Sequence, residues 1–151
     1  MVQPIPGNYP TLTPYMIVTD GNAAITFYER AFGARLRLRM GEPGGIVRHA
    51  ELEIGKSLIM IANEHPEMGA LGPRAHSGSP VSLYLYVEDV DAVIDRAVSA
   101  GATLGAAAET KFYGDRTGRI IDPFGYTWHI ATRVEDVSDE EIRRRAETAM
   151  A

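Results

Sequence analysis

The chain has 151 residues, 45% hydrophobic and 23% charged, with a formal net charge of −5 and no cysteine. That length and composition predict one globular domain, and the acidic balance, with no cluster of basic residues to track phosphates, argues against nucleic acid or an anionic membrane as partner. The absence of cysteine removes disulfides, thiolate nucleophiles and thiolate metal ligands; no apolar run reaches the ~18 residues of a membrane span, and MVQPIPGNYP has neither the charged nor the apolar region of a signal peptide, so a cytoplasmic location is expected.

In chain order, residues 1–11 carry Pro4, Pro6 and Pro10 and predict an extended arm, because proline removes a backbone donor and restricts the residue before it. Thr13–Thr19 reads as the first strand. Over Asn22–Phe32, Ala23, Ala24, Phe27, Tyr28 and Ala31 recur at the three- and four-residue spacing of a helix, and Gly33 is placed to end it. Arg35–Met40 and Ile46–Ile54 alternate with the period of strands, joined by a glycine-rich turn. On the second of these, Ala50, Leu52 and Ile54 share one face, and His49, Glu51 and Glu53 share the other. Ser57–Ala62 is a short apolar strand. Residues 63–80 show no periodicity and read as a connection between halves, with His65 and His76 at the surface.

Val81–Val87 is the next strand and Val90–Ala100 the next helix, with Asp89 as N-cap and Val90, Val93, Ile94, Ala97 and Val98 on its inner stripe. Thr103–Glu109 is a weaker strand, KFYGDRTGR a hairpin region, and Arg119–Asp122 and Tyr126–Thr132 the last strands. Ser138-Asp-Glu-Glu141 has the capping-box pattern. It opens a helix from Asp139 to about Met150, on which Arg143–Arg145 read as a solvated face.

The order of elements repeats. Residues 13–34, TPYMIVTDGNAAITFYERAFGA, are echoed by residues 81–102, VSLYLYVEDVDAVIDRAVSAGA, at an offset of roughly 70 positions, too long for a solenoid unit. Two fused copies of a β-α-β-β-β module follow. The expected class is α+β: a single domain with module one at 11–64, a linker at 65–80, module two at 81–133 and a C-terminal helix at 138–150. The strands form a concave mixed sheet with the two module helices outside it, and the halves enclose a cleft.

Several side chains fall on the predicted cleft face. His129 lies between Trp128 and Ile130, which alternation assigns to the helix side. It reads either as a ligand-binding or acid/base histidine or as a hydrogen-bonded structural one. His49 and Glu51, two apart on one strand, read either as a base with its orienting carboxylate or as a solvated strand face. Tyr84 and Tyr86 share Ser82's face and Tyr15 shares Thr13's, offering stacking area with a hydroxyl handle. Phe112, Tyr113, Asp115 and Arg116 form a hairpin loop that either caps the cleft or holds Asp115 and Arg116 in a surface ion pair.

The paired modules, the Thr26-Phe27-Tyr28…Phe32-Gly33 pattern and the Asp122-Pro123-Phe124-Gly125 turn make the chain resemble the vicinal oxygen chelate superfamily, which includes glyoxalase I, bleomycin-resistance proteins and extradiol dioxygenases. His49-Ala-Glu51 and Tyr113-Gly-Asp-Arg116 are most similar to its PhnB-like branch. The resemblance implies the glyoxalase/bleomycin-resistance fold and four metal-ligand positions, which by strand register fall on Thr13, Ile59, Ser82 and His129. Only His129 is a competent ligand for a first-row metal, so neither metal nor cofactor is expected.

The expected function is therefore a small-molecule binding protein of the bleomycin-resistance type. Its ligand would be aromatic or polar and would lie in the cleft against Thr13, Tyr15, Ile59, Ser82, Tyr84, Tyr86, Tyr113, Arg116 and His129. The alternative is a lyase, isomerase or dioxygenase-like enzyme with a displaced metal on His129 with His49 or Glu51. Metal-free acid/base catalysis by His129 with a carboxylate is a further possibility, so that His129, His49 and Glu51 are the catalytic candidates. The family commonly pairs, and a homodimer is expected.

Overall fold

The two helices that cover the sheets each begin at an aspartate. In the computed structural model, which describes residues 1–149, Asp20 accepts a hydrogen bond from the Ala23 amide at 3.1 Å and opens α1 (Gly21–Phe32). Asp89 accepts one from the Ala92 amide at 3.1 Å and opens α2 (Val90–Ser99). Each carboxylate satisfies an amide that has no partner within its helix. α1 stops where Gly33 turns left-handed at φ 67°, a conformation glycine adopts without steric cost. The C-terminal helix, α3, runs over Asp139–Ala149; Met150, its expected last residue, lies outside the described residues.

Around α1 stand β1 (Tyr15–Val18), β2 (Arg35–Met40), β3 (His49–Ile54) and β4 (Ser57–Asn63), in the sheet order β1-β4-β3-β2. Around α2 stand β5 (Leu83–Tyr86), β6 (Thr103–Thr110), β7 (Asp115–Ile121) and β8 (Thr127–Arg133), in the matching order β5-β8-β7-β6. In both sheets the first strand lies parallel to the last, and the remaining pairs are antiparallel. The chain is thus α+β with two tandem β-α-β-β-β modules, as the repeat predicts. It divides into two compact units, Met1–Ser79 with Pro123–Gly125, and Pro80–Asp122 with the residues from Tyr126 onward.

Strand alternation builds each core. In the first unit Met16, Val18, Ala50, Leu52, Ile59 and Ile61 are buried together with Phe27 and Tyr28 of α1. Phe124 packs edge-on to Phe27 with ring centroids 6.3 Å apart. In the second, Ile120, Trp128 and Ile130 are buried with Val90, Val93, Ile94 and Ala97 of α2, whereas Val98, expected on the same stripe, is 41% exposed. Burying a large apolar side chain is worth about 1.5–3 kcal/mol, so these stripes carry most of the driving force.

The repeat extends to hydrogen bonds that tie each helix to its sheet. Asn63 Oδ1 accepts from the Gly21 amide at 2.9 Å, and Thr132 Oγ1 accepts from the Val90 amide at 2.9 Å. Both acceptors end the last strand of their module and both donors open the helix. Gly21 is required here, because a Cβ would stand 2.5 Å from Val47 Cβ.

Two local expectations are corrected, and the connection between the modules gains detail. β7 begins at Asp115, so Asp115 and Arg116 lie in a strand and point to opposite faces, where the glycine-rich text reads as a hairpin loop. The connection after β4 is partly ordered, with 3-10 turns at Pro66–Met68 and Pro73–His76 and Glu64 Oε2 accepting from the Gly72 amide at 2.8 Å. The arginine run on α3 is not uniformly solvated. Arg145 bonds Glu135 at 2.8 and 2.9 Å, Glu141 at 3.0 Å and the Phe112 carbonyl at 3.0 Å. Among the described residues no helix is long and apolar enough to cross a membrane.

Candidate functional site

Each module gathers polar side chains on the sheet face opposite its helix, around one buried carboxylate. In the second unit, cross-strand partners share a face, so the pairs Tyr84–His129, Arg119–His129 and Asp115–Arg133 place these residues together. Asp115 is 1% exposed. Its Oδ2 accepts from the hydroxyls of Tyr84 and Tyr86, each at 2.8 Å, and its Oδ1 accepts from Arg133 Nε at 2.7 Å. Burial works against ionisation, but the bonds from Arg133, Tyr86 and Tyr84 outweigh it and hold the carboxyl below its ordinary value. Burial, and then the bond to Asp115, push the Tyr84 phenol well up, so it remains a donor at neutral pH. The His129 ring stacks on Tyr84 at a centroid distance of 5.8 Å and an angle of 19°.

Beside this framework lies a recess of about 450 Å³, lined by Ala106, Ala107, Glu109 and Lys111 from β6 and its end, by Tyr113, by Thr117, Gly118 and Arg119 of β7, and by His129 of β8. The small side chains at 106–107 leave the space open. Lys111 and Glu109 are paired with each other, and Arg119 is exposed and makes a long bond to the Gly105 carbonyl at 3.4 Å.

The first unit has a different arrangement. The Glu51 side chain is buried at 3% residue exposure, where alternation alone placed it on an open polar face. The extended arm covers it. Tyr9 donates its hydroxyl to Glu51 Oε1 at 2.9 Å, and Arg37 stacks on the Tyr9 ring with its guanidinium carbon 4.5 Å from the centroid. His49 Nε2 lies 2.9 Å from Glu51 Oε2, and Nδ1 lies 3.1 Å from the Tyr15 hydroxyl. Burial of Glu51 favours its neutral form, yet the bonds from His49 and Tyr9 prevail and lower its pKa.

The sequence-derived residues are therefore sorted into separate places. Tyr84, Tyr86 and His129 come together in the second unit, and Tyr113 joins His129 at the recess. Tyr15, His49 and Glu51 come together in the first. Arg116 does not belong with them. As a strand residue next to Asp115 it points to the helix side, where it holds Asp91 of α2 through two bonds of 2.9 Å. Ile59 is 4% exposed and packs in the core. The residue paired with Tyr15 as His129 is with Tyr84 is Met60, so the strand register runs one position from the expected one and turns Ile59 to the other face. Thr13 is half-buried and Ser82 exposed, both just ahead of their strands.

Sequence reasoning missed Tyr9, Arg133, Thr117 and Arg119. Period-two counting from His129 reaches Arg133, and counting from Asp115 reaches Thr117 and Arg119 once β7 is recognised. Nothing local marks Tyr9.

The corresponding positions offer a methionine thioether, two hydroxyls and one imidazole. Among the described residues no three His, Asp or Glu side chains are grouped so as to hold a metal ion. This donor set does not fit a catalytic divalent ion.

Residues 11–130 match the family model of the Glyoxalase/Bleomycin resistance protein/Dioxygenase superfamily. The chain belongs to that superfamily. Over 137 residues it is 39% identical to protein Rv0887c of Mycobacterium tuberculosis, covering 89% of this chain and 81% of that one. Among solved structures it is similar to TioX from Micromonospora sp. ML1, with 26% identity, a TM-score of 0.63 and coverage of 84% of this chain and 99% of the other. The Arabidopsis thaliana product of At5g48480 is likewise 26% identical, with a TM-score of 0.65 over 82% of this chain and 98% of the other.

Proposed function

We propose that this superfamily member is a small-molecule binding protein that holds its ligand in the second-module recess without a metal ion. The observation that carries this reading is the recess itself. At about 450 Å³ it falls within the roughly 300–1,000 Å³ of small-ligand sites, and its lining combines one aromatic wall, Tyr113, with the hydrogen-bonding edge of His129 and the exposed cation of Arg119. Such a lining suits a planar ligand with an anionic or acceptor group directed at Arg119. The rigid floor formed by Asp115, Tyr84, Tyr86 and Arg133 supports the reading, because a pre-ordered site loses little entropy on binding.

The test is mass spectrometry of what copurifies with the protein, followed by calorimetry with the identified compound. Ala106→Leu, which fills the recess, and Arg119→Ala are expected to weaken binding by tenfold or more, about 1.4 kcal/mol. Unchanged affinity in both variants would remove the recess as the site. About one equivalent of zinc, nickel, manganese or iron that copurifies and is lost in His129→Ala would favour a metal-dependent enzyme instead.

A further inference from the structure

The first module holds a second arrangement that ligand binding in the recess does not use. Glu51 is buried and ionised, and an ionised carboxylate only accepts hydrogen bonds. His49 Nε2, 2.9 Å from Glu51 Oε2, must then carry the ring proton. In neutral imidazole the other nitrogen is an acceptor, so the Tyr15 hydroxyl, 3.1 Å from Nδ1, donates to it. The order O–H of Tyr15, Nδ1 and Nε2–H of His49, and carboxylate of Glu51 has the logic of a hydroxyl–histidine–carboxylate triad, with a phenol as the outer member. Tyr9, donating to Glu51 Oε1 at 2.9 Å, fixes the carboxylate from its far side.

The outer member is reachable. Tyr15 is 53% exposed, and Met60, its partner on β4, lies beside it on the same face. Leu38 at 41% and Met40 at 52% lie on that face too, on β2 at the far edge of the sheet, placed by the pairs Leu38–Glu51 and Met40–His49. The face thus carries apolar side chains beside Tyr15 and across the sheet. Of the cations on this face, Arg37 is engaged by the Tyr9 ring, by the Asn8 carbonyl at 3.1 Å and by Glu51 at 3.9 Å, and Arg35 is paired with Glu53, so neither is free to hold a substrate anion.

We propose that Tyr15, His49 and Glu51 form a metal-free proton relay that enolises a neutral, largely apolar carbon acid whose C–H lies between two carbonyls. The two carbonyls are needed because, among the described residues of this face, Arg37 and Arg35 are both engaged and leave no free cation to stabilise an enolate. In the forward step the substrate C–H bond breaks and its electron pair stays on the substrate as the enolate. The proton forms a new O–H bond on Tyr15 while the original phenolic proton moves to His49 Nδ1. The resulting imidazolium is held by the Glu51 carboxylate. The reverse path returns a proton to the substrate, so nothing is oxidised or reduced and no co-reactant is consumed. Tyr15 is the catalytic residue, His49 receives its proton, and Glu51 is a positioning residue.

The experiment follows hydrogen–deuterium exchange at the central carbon of benzoylacetone by NMR, with the full chain in deuterated buffer. Wild type is expected to accelerate exchange over buffer, and Tyr15→Phe to lose about 100-fold or more of kcat, the lower range for a positioned acid or base. Glu51→Gln is expected to lower kcat with KM unchanged, and His49→Ala to recover exchange when imidazole is added, which a merely structural histidine would not do. Should Glu51→Gln not fold, the half-exposed Tyr15→Phe still decides. Wild type no faster than buffer, or Tyr15→Phe as fast as wild type, overturns the proposal. A nitrogen-15 spectrum that places the neutral His49 proton on Nδ1 overturns it as well.

Discussion

Asp115 shows how much one side chain can organise. It accepts three hydrogen bonds, from Tyr84, Tyr86 and Arg133, and orders the aromatic pair on which His129 stacks. Asp115→Asn keeps the shape but removes the charge and places an amide NH2 where one carboxylate oxygen accepted, against either the two tyrosine hydroxyls or Arg133. A buried charge pair broken on one side costs several kcal/mol, and hydrogen bonds to a charge about 1.5–3 each. With Arg133 half-exposed, the expected loss is roughly 2–4 kcal/mol, read from the urea midpoint with the slope unchanged. At this scale the sequence was partly legible. His129, Tyr84 and Tyr86 follow from alternation alone. Asp115 was misplaced because a stretch with Gly114 and Gly118 beside it reads as a turn, while the strand pairing that makes it β7 is set by partners far along the chain.

At the scale of elements, α3 is the clearest contrast with α1 and α2. It buries no residue, so packing does not hold it in place. Arg145 does, by bonding Glu135, Glu141 and the Phe112 carbonyl at once. Arg145→Ala is therefore expected to strip amide-exchange protection from α3 while β7 and β8 keep theirs, since local opening reports local contacts. Added salt should weaken α3 protection in wild type in the same direction. The helix itself was legible from its capping box. Its anchor was not, because Arg143, Arg144 and Arg145 look alike in the sequence and only their placement around the helix tells them apart.

For the whole molecule, each unit carries a buried carboxylate on its polar sheet face, Glu51 and Asp115, both held below their ordinary values; Asp122 is a further buried carboxylate, accepting from the Tyr126 amide and Trp128 Nε1. A depressed carboxyl pKa stabilises the fold above the unfolded value, near 4, and that contribution is lost as pH falls through the folded values, because the unfolded chain then binds more protons. Urea midpoints measured across pH are expected to hold from neutral to about pH 5 and to fall below it. The Glu51→Gln, Asp115→Asn double variant should show a shallower acid limb. The duplication was legible in the text of the chain, from the echo of 13–34 in 81–102, but the two carboxylates are not counterparts within it, since Glu51 pairs with Met60 and it is Arg119 that pairs with His129. Their burial was not, because Glu51 is covered by Tyr9 from an arm with no periodic pattern to place it. The one-residue slip that put Ile59 where Met60 belongs has a similar origin. Between Ser57 and Asn63 the run LIMIA is uniformly apolar and contains no polar marker to fix its phase.

β2 and β6 end their sheets, and neither pairs evenly with its neighbour. The register of β2 against β3 shifts between Leu36 and Leu38, and that of β6 against β7 shifts between Leu104 and Ala106 and again between Ala106 and Glu109. An open edge strand presents unpaired amides and carbonyls that recruit other chains. A bulge bends and twists that edge, so an incoming strand loses alignment after a few residues. β6 gains most from this, because Ala106, Ala107 and Ala108 carry no charge that would repel a neighbour. Its irregular pairing keeps the alanines that open the recess from also becoming a seed for aggregation.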